Sequence, residues 1–195
     1  MKRSVVLSLG LCVAIVLAIP LTVAAQTSFA VGKGTLGISG MVDFGVKDGE
    51  LYEDMAGDPE VSLSIMPSIF YFIAPNLAVG GDFMFEHTSQ GDESTSVYGI
   101  GPGILYAFGN GESSIYPYVG ASFAHVTYER GISGEVNGRQ IRLGGGLFIL
   151  PSSQQHLGLR LEAGVTIDGR TPEHEKSTYG TTYGISLGLV GFIFK

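Results

Sequence analysis

From Thr35 onward the chain alternates with a period of two. Leu36, Ile38, Gly40, Val42, Phe44 and Val46 fall on one side, and Thr35, Gly37, Ser39, Met41, Asp43 and Gly45 on the other. Successive side chains of a strand point to opposite faces, so the pattern predicts a strand with one apolar and one mixed face. In the next segment Val61, Leu63, Ile65, Pro67, Ile69 and Tyr71 oppose Ser62, Ser64, Met66, Ser68 and Phe70. The third sets Leu77, Val79, Phe83 and Phe85 against Ala78, Gly80, Asp82, Met84 and Glu86. The same alternation runs through 140–149, 157–168 and 182–189. Segments 97–108 and 115–129 are also extended, but their facing is not fixed by the pattern.

Length tells these strands apart from those of a soluble sandwich. They run ten residues or more, where soluble strands average about five or six, and a tilted strand needs roughly nine to eleven to cross a bilayer. Short connections at 74–76, 109–112 and 151–154 alternate with longer polar ones at 47–60, 88–96, 130–138 and 169–178. Short turns on one rim and long loops on the other predict an all-β, eight-stranded, antiparallel up-and-down transmembrane barrel. Alternation alone leaves the inside undecided. A soluble lipocalin-like barrel that binds a ligand internally turns the apolar face inward. Aromatic clusters at 70–73, 104–108, 147–150 and 192–194 close the even strands, and their recurrence predicts an interfacial girdle on the turn rim.

Residues 1–25 stand apart. A cationic start at Lys2 and Arg3 precedes an apolar run from Val5 to Val23 and the small residues Ala24 and Ala25. This is the pattern of a cleaved signal peptide. Residues 26–195 then form one barrel domain. Cleavage after Ala25 is preferred, with Ala30 as a second site and a retained anchor as the competing reading. Cys12 falls within the apolar run, behind a bulky Leu11, so a lipoprotein is not indicated. The remainder has no cysteine and a formal charge of about −9, the chain total of −7 less Lys2 and Arg3. That excludes disulfides and thiol chemistry and argues against nucleic acid, which is held mainly through Lys and Arg.

Facing then decides the chemistry. Asp43, Asp82, Glu86, Arg142, Arg160, Glu162 and Asp168 share the face opposite the apolar one. Arg or Lys toward lipid costs about 2 to 4 kcal/mol each at the midplane, so in a membrane these residues turn inward. Arg142 and Arg160 on neighbouring strands, with Glu162 two residues on, predict a polar network that plugs the lumen. A second set is His125 and Thr127, an imidazole and a hydroxyl on one strand face. A nucleophile with an adjacent base is the minimum for acyl transfer. The acidic first loop (Asp48, Glu50, Glu53, Asp54, Asp58, Glu60) lacks the fixed ligand spacing of an EF-hand. The runs at 101–103 and 144–146 precede no helix and are not nucleotide loops. No metal site or cofactor is expected.

Tyr71 to Gly81 (YFIAPNLAVGG), Tyr98 to Tyr106 (YGIGPGILY) and Tyr116 to Ser122 (YPYVGAS) give the chain its look. It resembles the small eight-stranded outer-membrane barrels, similar to OmpA and OmpX. That resemblance implies residence in the bacterial outer membrane among lipid and lipopolysaccharide. It also implies a periplasmic C-terminus and biogenesis by the barrel-assembly machinery. Thr182, Gly184, Leu187 and Leu189 match the spacing that machinery recognises, although Lys195 follows Phe194 where a terminal Phe is usual. The pair at 125 and 127 resembles the His-x-Ser of outer-membrane lipid A deacylases and phospholipases, with Thr in place of the decisive Ser. The expectation is a non-enzymatic structural or surface-interaction barrel, contacting lipopolysaccharide or a surface ligand through its loops. A lipid-modifying enzyme and a soluble ligand-binding barrel are the alternatives.

Overall fold

The computed structural model describes residues 29–48, 60–90, 93–130, 134–151, 156–170 and 178–194. They form eight strands: β1 Leu36–Asp48, β2 Glu60–Ala74, β3 Leu77–Gln90, β4 Glu93–Ala107, β5 Ile115–Arg130, β6 Gly134–Ile149, β7 Leu157–Arg170 and β8 Thr178–Ile193. Each pairs antiparallel with the next. β8 closes on β1 in unbroken register from Leu36↔Ile193 to Asp48↔Thr181, so the sheet is a closed barrel without a free edge. The segment read as a signal peptide and the acidic connection 49–59 lie outside the described residues.

The alternation resolves into an inverted barrel. Ile185 is 68% exposed and Phe44 58%, while Ser186 and Asp168, at 0% and 1%, are enclosed. Ile38, Val42, Leu63, Leu143, Leu159 and Leu187 all stand on the outer wall. A soluble ligand-binding barrel has the opposite polarity, so that alternative fails on the placement of the charges. The facing left open by the pattern is now fixed. Val97, Leu105 and Ala107 of β4 and Tyr116, Tyr118, Val126 and Tyr128 of β5 point inward. Tyr98, Ile104, Tyr106, Ile115, Val119 and Phe123 point outward.

Two expectations need correction. The strands run 13 to 16 residues, longer than a crossing requires. The ladder therefore continues through polar residues that the sequence reading left in loops. Thr88↔Thr95, Ser89↔Ser94 and Gln90↔Glu93 are paired, as are Glu129↔Glu135 and Arg130↔Gly134. The connections between β3 and β4 (91–92) and between β5 and β6 (131–133) are thus shorter than the turn-side stretches 108–114 and 150–156. Once strands clear the lipid, their hydrogen bonds depend on backbone pairing rather than on apolar side chains.

The second correction concerns the turn-rim aromatics. Phe70, Phe72, Phe148 and Phe192 face inward and form a core with Leu105, Tyr116, Tyr118, Leu150 and Val190. Phe70 stacks on Phe148 at 5.8 Å, and Phe148 meets Phe192 edge-on at 5.4 Å. The reason is parity. Phe70 and Phe72 sit two and four residues after the inward Ser68, so alternation carries their rings into the lumen. The outward aromatics of this rim include Tyr106 and Phe108, whose rings meet at 5.0 Å.

The chain ahead of β1 closes the same end. Ala30 and Val31 are fully buried against that aromatic core. The Asn76 N–H donates to the Val31 carbonyl at 2.9 Å, and the Gly34 N–H donates to Phe72 at 2.8 Å. Asn76 adopts φ 71° in the tight connection after β2, a conformation that Asn tolerates better than most residues.

Candidate functional site

Above the aromatic core lies the charged part of the lumen, built from strands distant in sequence. Arg142 of β6 is its hub. Its Nη1 donates to Asp43 Oδ2 of β1 at 2.8 Å, its Nε to Glu162 Oε1 of β7 at 2.9 Å and its Nη2 to Ser186 Oγ of β8 at 2.9 Å. Arg160 of β7 lies closer to the aromatic core. Its Nη2 donates to Glu162 Oε2 at 2.7 Å, its Nε to the Tyr118 hydroxyl at 2.8 Å and its Nη1 to Ser68 Oγ at 3.0 Å. Tyr118 in turn donates to Glu162 Oε2 at 2.6 Å. Glu162 is therefore held by two guanidiniums and a phenol, which satisfies a buried carboxylate that would otherwise be costly. Arg160 also lies over the Tyr118 ring, 5.1 Å from its centroid.

Glycine makes the room. A Cβ on Gly146 would lie 1.9 Å from the Leu161 carbonyl oxygen and 2.8 Å from the Tyr118 hydroxyl. One on Gly144 would lie 2.9 Å from Glu162 Oε1. The run 144–146 thus clears the wall of β6 for the Glu162 cluster.

Nearer the loop rim, Lys47 of β1 is ion-paired with Glu86 of β3, over the strand between them. Gln140 Nε2 donates to Asp168 Oδ1 at 2.7 Å, and Arg170 lies 3.6 Å from the centroid of the Tyr128 ring. Asp82 lines a cavity of about 70 Å³ together with Ser122, Met84, Arg142, Arg160 and Glu162. A water molecule requires about 10 to 15 Å³ on this kind of measure, so the space is sized for a few waters. All seven charged residues read as lumenal stand inside the barrel. Arg142, Arg160, Glu162 and Asp43 form one connected cluster. Asp82 faces that cluster across the cavity they share, and Glu86 and Asp168 stand apart from it.

Sequence reading missed Lys47, Tyr118, Ser68 and Ser186 as members of these clusters. Lys47 was assigned to the first loop, yet it continues the parity of Asp43 and Gly45 by one more step. Tyr118 has no polar signal because in its strand Tyr116 and Tyr118 alternate with Ile115, Pro117 and Val119 rather than polar residues with apolar ones.

His125 and Thr127 lie side by side on the outer wall of β5. Thr127 Oγ1 is 3.4 Å from Asn137 Oδ1, not on the imidazole. A different pair is joined: His87 Nδ1 of β3 and Ser96 Oγ of β4, directly opposite in register, are 2.9 Å apart on the outer wall. They flank the exposed aromatic pair Phe85 and Tyr98, whose rings are 5.4 Å apart. Only the hairpin register brings His87 and Ser96 together, and neither is marked by local spacing. Among the described residues no cluster of His, Asp and Glu has the arrangement to hold a metal.

No protein-family model and no curated protein sequence matches the chain. Solved structures do. Ail, the attachment invasion locus protein of Yersinia pestis, is 13% identical, with a TM-score of 0.49 over 83% of this chain and 99% of that one. The outer membrane enzyme PagL is 14% identical, with a TM-score of 0.47 over 76% and 97%. Neisserial surface protein A (NspA) is 15% identical with a TM-score of 0.62 over 82% of this chain and 99% of that one, and this likeness, with the closed eight-strand barrel, shows that the chain has the fold of the small outer-membrane β-barrels.

Proposed function

We propose that the chain loses residues 1–25 on export and resides in the bacterial outer membrane as a closed barrel. In this reading the barrel-assembly machinery inserts it, and its loop rim is a contact surface for lipopolysaccharide or an external ligand. One observation carries this reading. The outer wall carries an apolar belt through its middle, while the lumen is occupied by the Arg142, Glu162 and Arg160 cluster and then sealed by the aromatic core and Val31. An apolar wall of this extent is stable only against lipid. A lumen filled by side chains is the ordinary state of an eight-stranded barrel and leaves no broad channel.

The test is electrophoretic mobility of the chain from the outer-membrane fraction, boiled against unboiled, together with planar-bilayer recordings. The expected result is a heat-dependent shift without conductance steps. A chain found soluble in the periplasm with no shift would sink the reading.

A second reading, ester hydrolysis on an outer-leaflet lipid, is favoured by the 2.9 Å contact between His87 and Ser96, an imidazole beside a potential nucleophile. It is tested by mass spectrometry of lipid A from cells with and without the protein, and with Ser96→Ala or His87→Ala. An unchanged acylation pattern disposes of it.

A further inference from the structure

The outer wall is not uniform near the loop rim. On β7, β8, β1 and β2 the outward positions there include Ile167, Tyr183, Val46 and Leu63, all apolar or aromatic and exposed. On β5 and β6 they are polar. His125 and Arg139 are exposed and directly opposite in register. One step toward the loops, Thr127 stands opposite Asn137. One step toward the turns, Phe123 and Ile141 resume the apolar wall at 45% and 46% exposure. The polar patch therefore begins where the apolar belt ends.

We propose that His125 and Arg139 form a binding site for the phosphate of an outer-leaflet lipid headgroup. The site rests on the membrane reading above and adds to it a place and a ligand chemistry. A guanidinium on a lipid-facing wall is penalised most at the midplane and least at the interface, and Arg139 lies at the edge of the belt. There it meets the one anion a bilayer supplies in quantity. Guanidinium binds phosphate through two parallel, charge-assisted hydrogen bonds, a geometry that Lys does not reproduce. The imidazole of His125 and, one step away, the Asn137 amide nitrogen add further donors. Glu129 and, opposite it in register, Glu135 lie a further step toward the loops, beyond the Thr127 and Asn137 pair. In a chain of net charge −7, an Arg and a His opposite one another on the lipid side select an anion from the membrane rather than from the protein.

The experiment uses the full mature chain folded in detergent, incubated with bisphosphorylated lipid A and analysed by native mass spectrometry. Wild type is expected to retain the lipid. Arg139→Gln should lower retention about tenfold, the usual consequence of losing a charge-assisted hydrogen bond, and His125→Gln should lower it less. Lys33→Gln, an exposed cation at the opposite rim, should leave retention unchanged. Unchanged retention in Arg139→Gln, or equal retention of dephosphorylated lipid A, overturns the site. A disulfide-linked pair formed in membranes by Arg139→Cys, in a mature chain with no other cysteine, also overturns it by naming a second copy as occupant. The heat-dependent shift of each unboiled variant is read alongside. If wild type lacks the shift, the membrane reading itself has failed. If the shift persists and retention does not respond to Arg139, only the phosphate site has failed.

Discussion

Arg142 on β6 reaches Asp43 on β1 across the lumen, 2.8 Å apart and 99 residues apart in the chain. The contact ties the first strand to the sixth without passing through the ladder that joins neighbours. Among the described residues Asp43 has no other hydrogen-bond partner, and its Oδ1 is buried without one. Replacing Arg142 by Met therefore strands a charge. The expected loss is roughly 3 to 5 kcal/mol, the usual consequence of removing one member of a buried pair. Reversible urea unfolding of the barrel in lipid vesicles measures it. Adding Asp43→Asn to Arg142→Met should recover part of the loss, because the abandoned carboxylate is then neutral. A double variant no more stable than the single would show that the cluster acts through packing and not through charge.

How much of this was legible beforehand follows from what each feature depends on. The strand faces of β1, β6, β7 and β8 were legible because Leu187, Ser186 and their neighbours obey a local period. That same period placed Asp43, Arg142, Arg160 and Glu162 on one side. Which partners they choose depends on the register of closure between β1 and β8, which no local pattern encodes. His87 and Ser96 show the same limit, since their meeting follows from a hairpin whose strands extend past the lipid. The turn-rim aromatics were misread for another reason. Their residue type suggested a girdle, whereas parity with Ser68 turned Phe70 and Phe72 inward.

The glycine run of β6 gives a sharper local test. Gly146→Val places its Cβ on the Leu161 carbonyl and crowds the Tyr118 hydroxyl. Overpacking of this kind costs about 1 to 3 kcal/mol. Gly145→Ala, whose nearest contact is 3.3 Å from the Tyr118 carbonyl, should cost less because its side chain points to the outer wall. Comparing the two by urea midpoint separates interior crowding from a general intolerance of β6 to side chains. Equal losses would contradict the assignment of Gly146 to space beside Glu162 and Tyr118.

The mature N-terminus is expected at Gln26 and not at Val31. Thr35 Oγ1 and the Gly32 N–H both donate to the Phe29 carbonyl, at 3.1 and 2.8 Å, and Ala30 is fully buried. Cleavage after Ala30 would remove both residues and open the aromatic core to water. Intact-mass measurement of protein taken from membranes distinguishes the two sites directly. A mass beginning at Val31 would refute the expectation. Val31→Asp should lower the unfolding midpoint even when cleavage is correct, since an unpaired carboxylate enters an apolar core.

The inverted polarity predicts a cost of outward charge that varies with depth in lipid and not in water. Leu187 lies mid-strand on β8, 55% exposed on the outer wall and opposite Leu161 and Val42. In lipid, Leu187→Arg should cost about 2 to 4 kcal/mol, because the charge faces hydrocarbon near the midplane. Thr181 lies on the same face of β8, opposite Asp48 near the loop rim, and Thr181→Arg should cost about 0 to 1 kcal/mol there. The depth dependence is what identifies the surrounding medium, since water would treat the two positions alike. Measured by refolding into vesicles of fixed thickness, a flat profile along β8 would refute a membrane-spanning wall. A steep profile centred on Leu187 would locate the midplane and, by register, set Arg139 at its predicted depth near the outer interface.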